Sequence, residues 1–134
     1  MRVIAAVPAA AAALLLCAAP AAADRGAADL VDHTQWVSYG GLSSLRVFPT
    51  PAARAAATGP DAAAAGVQAW REVLALTPDA DTPGMRDQFL CHWNYAELAR
   101  PGKASWNLEP WRPVVDAVTM LASGCNPGAP EETF

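Results

Sequence analysis

Two cysteines, Cys91 and Cys125, constrain this chain most, because the third, Cys17, lies in a segment that reads as an export signal. Arg2 precedes an apolar run over residues 3–16, and Ala21-Ala22-Ala23 supplies the small residues a signal peptidase requires. Cleavage near Ala23 removes Cys17 and delivers the remainder to an oxidising compartment, where an even pair of cysteines reads as one disulfide. Such a bond closes a loop of about 35 residues and contributes about 3–4 kcal/mol in the chain-entropy model. Leu14-Leu15-Leu16-Cys17 also raises a lipoprotein alternative, against which stands the large Leu16 where a small residue normally precedes an acylated cysteine.

Cleavage leaves about 111 of the 134 residues, enough for a single domain with a modest core. The whole chain carries a net charge of −4, and losing Arg2 makes it −5. This balance argues against nucleic-acid binding, which needs clustered Lys and Arg, and against attraction to anionic lipid. No second apolar segment approaches the ~20 residues that span a bilayer. The expected location is secreted or in the cell envelope, with residues 24–33 as a flexible leader, 34–128 as the domain and 129–134 as a tail.

Local pattern predicts an α+β domain with an N-terminal β-hairpin, two to four helices and one disulfide. Residues 36–39 and 45–48 are rich in aromatic and β-branched side chains around Gly40-Gly41, a strand–turn–strand signature. Pro49-Thr50-Pro51 ends the hairpin, and residues 51–57 favour a short helix. Asp61 is a suitable N-cap for a helix over 62–76, with Val67, Trp70, Val73 and Leu74 as its apolar stripe. Residues 85–98 satisfy both periods: Met85, Phe89, His92 and Ala96 share a helical face, while Phe89, Cys91, Trp93 and Tyr95 alternate as in a strand. Helix is preferred. Residues 105–109 read as extended. A last helix enters through Pro110 or Pro113, buries Val114, Val118, Leu121 and Ala122, and is capped by Gly124, with a frayed tail from Asn126 onward.

Few groups suggest chemistry. Cys91-His92 resembles a nucleophile beside its base, yet adjacent side chains diverge and an exported Cys91 with a partner is oxidised. His92 with Glu109 or Asp87 is the candidate acid–base set of a small hydrolase, and Arg112 is a candidate for holding an anionic group. Only His33 and His92 are available as imidazoles, without metal-ligand spacing, so neither metal nor cofactor is expected. Trp93, Trp106 and Trp111 are candidate ligand-binding rings, because an exposed aromatic row stacks sugars or grips a polypeptide. The competing reading places those rings in the core.

Several strings extend the reading: Met85-Arg86-Asp87-Gln88-Phe89-Leu90-Cys91-His92, Trp106-Asn107-Leu108-Glu109-Pro110-Trp111-Arg112-Pro113 and Cys125-Asn126-Pro127-Gly128. With Trp36, Gly40-Gly41, Leu45, Val47, Pro49-Thr50, Arg54 and Trp70, they resemble an actinobacterial family of secreted proteins of unknown function. The resemblance spans residues 36–128. It implies that Cys91 and Cys125 belong to a shared pattern, as a disulfide pair does, and it implies no activity. The nomination of Asp87, Gln88, His92, Asn107, Glu109 and Arg112 rests on their chemistry alone. A non-catalytic binding module for a polypeptide or envelope glycan is the favoured reading, ahead of a small hydrolase and a structural accessory protein.

Overall fold

The computed structural model describes residues 28–131, so the expected signal over residues 1–23, with Cys17, lies outside the described residues. The fold is α+β. Strands β1 (Val31–Tyr39) and β2 (Leu42–Pro49) form the hairpin, followed by helices α1 (Pro51–Ala57), α2 (Ala62–Leu76) and α3 (Met85–Ala99). A short strand β3 (Trp106–Leu108) and helix α4 (Ala117–Ala122) complete the order. The sheet is antiparallel, β1-β2-β3, with β2 central and Leu45 facing Leu108, Arg46 facing Asn107 and Val47 facing Trp106.

Gly40 and Gly41 turn the hairpin at φ 56° and 80°, the left-handed values a two-residue turn needs, so Leu42 to Ser44 join β2. The first strand also starts earlier than its aromatic pattern indicates. Residues 31–33, assigned from sequence to a flexible leader, lie in β1, and Leu30 and Val31 are buried. The cause is distant in the chain: the Leu30 and Val31 amides donate to one carboxylate oxygen of Glu72 on α2, at 2.7 and 2.9 Å.

The helices cover the inner face of the sheet, where Leu45, Val47, Trp106 and Leu108 are buried. Thr50 caps α1 by accepting the Ala53 amide at 3.1 Å. Asp61 does not cap α2: it makes no side-chain capping bond, and its backbone (φ −102°, ψ 24°) lacks the extended conformation a capping side chain uses. Trp70 and Val73 face the core with Gly66 and Ala69, whereas Val67 and Leu74 are half-buried. Gly66 is required by a close crossing. A Cβ there would lie 2.9 Å from the Trp93 indole, whose N–H donates to the Ala62 carbonyl at 2.8 Å.

Helix α3 is the inner wall. Met85, Phe89, His92 and Ala96 are all buried, with Gln88, Cys91 and Trp93 widening that face. Phe89 lies at the centre of an aromatic cluster, 5.5 Å from Trp70, 6.2 Å from Trp93 and 6.1 Å from Trp106 between ring centroids. Trp93 and Trp106 meet edge to face at 6.0 Å.

Cys91 is bonded to Cys125 across a Cα separation of 5.6 Å, holding α4 against the outer side of α3. This reverses the expected burial of the last helix. Met120 is buried with the two cysteines and packs beside Val115, while Val114, Val118 and Leu121 are 62, 80 and 48 % exposed and Ala122 is exposed. The tether fixes the face α4 turns inward, and period alone cannot tell which side has a partner. Gly124 (φ 61°) ends the helix as expected, donating to Leu121 while Cys125 donates to Met120, the paired bonds of a Schellman cap. The segment after it is anchored, contrary to the expected fraying: Pro127 is buried, and the carbonyls of Pro127, Ala129 and Pro130 accept from Arg112. Gly128 (φ 91°) permits this path, since a Cβ would sit 2.7 Å from the Pro113 ring. No helix among the described residues is long and apolar enough to cross a membrane.

Candidate functional site

The residues nominated for their chemistry divide between a buried network and two cavities on either side of the outer face of α3. Glu109 leaves β3 pointing inward. Its Oε2 accepts from Arg112 Nε at 2.6 Å and its Oε1 from the Ser44 hydroxyl at 2.9 Å. Gln88 of α3 clasps the same residue through its backbone, donating to the Glu109 carbonyl and accepting the Glu109 amide, both at 2.9 Å. The Arg112 and Glu109 side chains are 0 and 1 % exposed. Arg112 directs three further N–H groups to carbonyls of the C-terminal segment, and its guanidinium carbon lies 4.5 Å from the Trp111 ring centroid. A carboxylate fully occupied by such partners is neither a general base nor free to meet substrate. Arg112 is equally unable to hold an external anion.

His92 is buried in the middle of α3, and its Nδ1 donates to the Gln88 carbonyl at 2.8 Å. A carbonyl only accepts, so Nδ1 carries the proton and Nε2 keeps its lone pair. Burial holds the imidazole below its ordinary pKa of 6.5, against the opposing pull of that backbone bond. The ring lines a cavity of about 350 Å³ with Arg100, Lys103, Asn126 and Glu131. Asp87 is exposed and lines a different cavity of about 390 Å³, with Leu90, Tyr95, Val115, Asp116 and Met120. His92, Asp87 and Glu109 therefore do not assemble into one acid–base site.

Nor do the tryptophans form a row. Trp93 and Trp106 are each 1 % exposed, as core rings, and Trp111 is half-buried beneath the Arg112 guanidinium. Asn107 is buried on β3, where its amide donates to Glu131. Tyr95, Leu98, Val118 and Leu121 are exposed instead. Val118 and Leu121 were expected to turn inward with the apolar stripe of α4, whereas Tyr95 and Leu98 lie on the outer face of α3. Lys103, Asn126 and Glu131 left no spacing signal, since only the folded chain brings them together. No group of three or more His, Cys, Asp or Glu is placed to hold a metal among the described residues.

Residues 31–128 match the model of a family described as "Protein of unknown function (DUF2599)". The chain belongs to that family. Among its relatives, an uncharacterized protein of Mycobacterium tuberculosis (strain ATCC 25618 / H37Rv) is 65 % identical over 105 residues, covering 78 % of this chain and 70 % of the relative. An uncharacterized protein of Mycobacterium leprae (strain TN) is 50 % identical over 101 residues, covering 75 % of this chain and 81 % of the relative. No solved structure matches. In this DUF2599 domain, the string from Trp106 to Pro113 builds core and polar network: Trp106 and Leu108 pack inward, and Glu109 and Arg112 pair.

Two outcomes follow from these environments. Arg112→Ala leaves the Glu109 carboxylate buried without its cation and lowers unfolding free energy by about 3–5 kcal/mol; a loss below about 1 kcal/mol in denaturant titration contradicts the pairing. His92 also makes stability depend on pH. Its folded pKa lies below the unfolded value, so the unfolded chain binds the extra proton, and stability falls as pH drops below 6.5 toward the folded pKa. Thermal melts of the oxidised protein show this decline, and His92→Gln flattens it. An unchanged slope in the variant means another group is responsible.

Proposed function

We propose that this is an exported, non-catalytic binding module whose ligand is a basic, apolar polypeptide segment held in the cleft between α3 and α4. The observation that carries the reading is the cleft itself. Its floor is apolar, from Leu90, Val115, Met120 and the disulfide, while Asp87 and Asp116 stand at its edge. Tyr95 and Leu121 line it too, 40 and 48 % accessible. Apolar surface with carboxylates beside it complements a segment alternating Leu-like and Lys-like side chains. Asp116 stays charged to low pH, because accepting the Thr119 amide as the α4 N-cap holds its carboxyl below the usual range.

A glycan is the weaker ligand. Sugar recognition draws on exposed ring faces, and Trp93 and Trp106 are used in the core. Export is supported by the charge and hydropathy of residues 1–23 and by the bond between Cys91 and Cys125, which persists in oxidising compartments.

Binding is tested by titrating the oxidised protein with the synthetic peptide Lys-Leu-Lys-Leu-Leu-Lys, followed by NMR. Shifts concentrate on Leu90, Tyr95 and Met120; Tyr95→Ala weakens binding about tenfold, and Asp87→Asn or Asp116→Asn about two- to fivefold each. Equal affinity across these variants sinks the proposal. Export is tested by expressing the full chain in a Gram-positive host. The secreted or envelope fraction contains a species beginning at Asp24; confinement of the uncleaved chain to the cytoplasm refutes it.

A further inference from the structure

The second cavity, on the His92 side of α3, has a different chemistry. Lys103 and Arg100 pair with the Glu131 carboxylate, and the Asn107 amide donates to it at 3.4 Å. Two cations and an amide thus converge on one carboxylate, and that carboxylate is supplied by the chain itself from a segment 28 residues beyond Lys103. The interior of the cavity is of opposite character. His92 is 4 % exposed, lines it, and has its only proton committed to Gln88, so Nε2 is an acceptor. Asn126 lines it too, with its Nδ2 donating to the Gly124 carbonyl at 2.9 Å and its Oδ1 enclosed by protein. Ala96, Ala99, Leu121 and the Cys125 side of the disulfide supply small apolar walls.

A buried acceptor left unpaired is costly unless something donates to it. The arrangement asks for a ligand with a carboxylate at one end, an N–H donor near it and a small apolar side chain. We propose that this cavity binds the carboxylate of an N-acylated amino acid, the chemistry shared by a peptide's C-terminal residue and a free acyl amino acid, and that Glu131 occupies the carboxylate position in its absence. Lys103 and Arg100 take the ligand carboxylate, with Asn107 as a further donor. The ligand N–H donates to His92 Nε2, and its side chain rests against Ala96 and Ala99. A volume of about 350 Å³ accommodates a residue of this size. The inference does not rest on the α3–α4 cleft: the two cavities share Tyr95 and Leu121, but the charged groups invoked here are absent from the other.

The test is an NMR titration of the full oxidised protein with N-acetyl-L-alanine, with its C-terminal amide, and with an acetylated tetrapeptide ending in alanine. N-acetyl-L-alanine shifts the amides of Lys103, Gly124 and Asn126, while the amide form, lacking the charge, does not. Glu131→Gln removes the internal competitor and tightens binding about fivefold or more, and Lys103→Met abolishes it. Tighter binding of the tetrapeptide assigns the site to peptide ends; equal binding assigns it to free acyl amino acids. The comparison of acid with amide uses the unaltered protein, so it stands even if a variant misfolds. Equal binding of acid and amide, no shift with either acid, or full affinity in Lys103→Met overturns the proposal. Asp87→Asn and Asp116→Asn leave this binding unchanged, which separates its failure from failure of the cleft.

Discussion

The buried ion pair between Glu109 and Arg112 organises the C-terminal half of this domain. An ion pair taken out of water is a poor source of stability by itself, because desolvation offsets most of its attraction. Here the cost is met by completing the hydrogen bonding around both charges. Ser44 on the central strand, Gln88 on α3 and three carbonyls of the final segment all converge on the two residues. Residues 109–112 are consequently held in a turn, with the Arg112 amide donating to the Glu109 carbonyl. Helix α4 begins only at Ala117, well after the prolines that read as its entry.

Downstream features depend on that arrangement. Arg112 draws residues 127–130 back across the domain, Gly128 allows them past Pro113, and Glu131 is delivered to Lys103 and Arg100. The disulfide supplies the second constraint by fastening α4 to α3 through Cys91. Helix α3 therefore has two roles. Phe89 and Trp93 complete the aromatic core, while the opposite side, with Asp87 and Tyr95, borders the cleft beneath α4. His92 lies between these regions, anchored by its own helix backbone and open to the neighbouring cavity.

Much of the fold was legible in the sequence where the signal was local. Gly40-Gly41 between β-rich runs gave the hairpin, the helical face of Met85, Phe89, His92 and Ala96 gave α3, and cysteine arithmetic gave the disulfide. The site was less legible, because residue type does not reveal burial. Glu109, Arg112 and His92 have the side chains of a catalytic centre, and so do the members of a polar network inside a core. Only long-range partners separate the two: Ser44 is 65 residues from Glu109, and Gln88 is 21. The same limit explains Val114, Val118 and Leu121, whose spacing marks an apolar face without saying what covers it. Residues 31–33 resembled a leader because the carboxylate that fixes the start of β1 belongs to Glu72 on α2.

The most direct test of the organising pair is hydrogen exchange at the Arg112 Nε–H, which donates to Glu109 in a fully buried site. If this pair belongs to the cooperative core, that proton and the Glu109 amide exchange only through global unfolding, with an opening free energy equal to that of the most protected core amides. Exchange of either proton within the dead time of the experiment, while core amides remain protected, would contradict the account and leave the pair as a locally frayed surface contact.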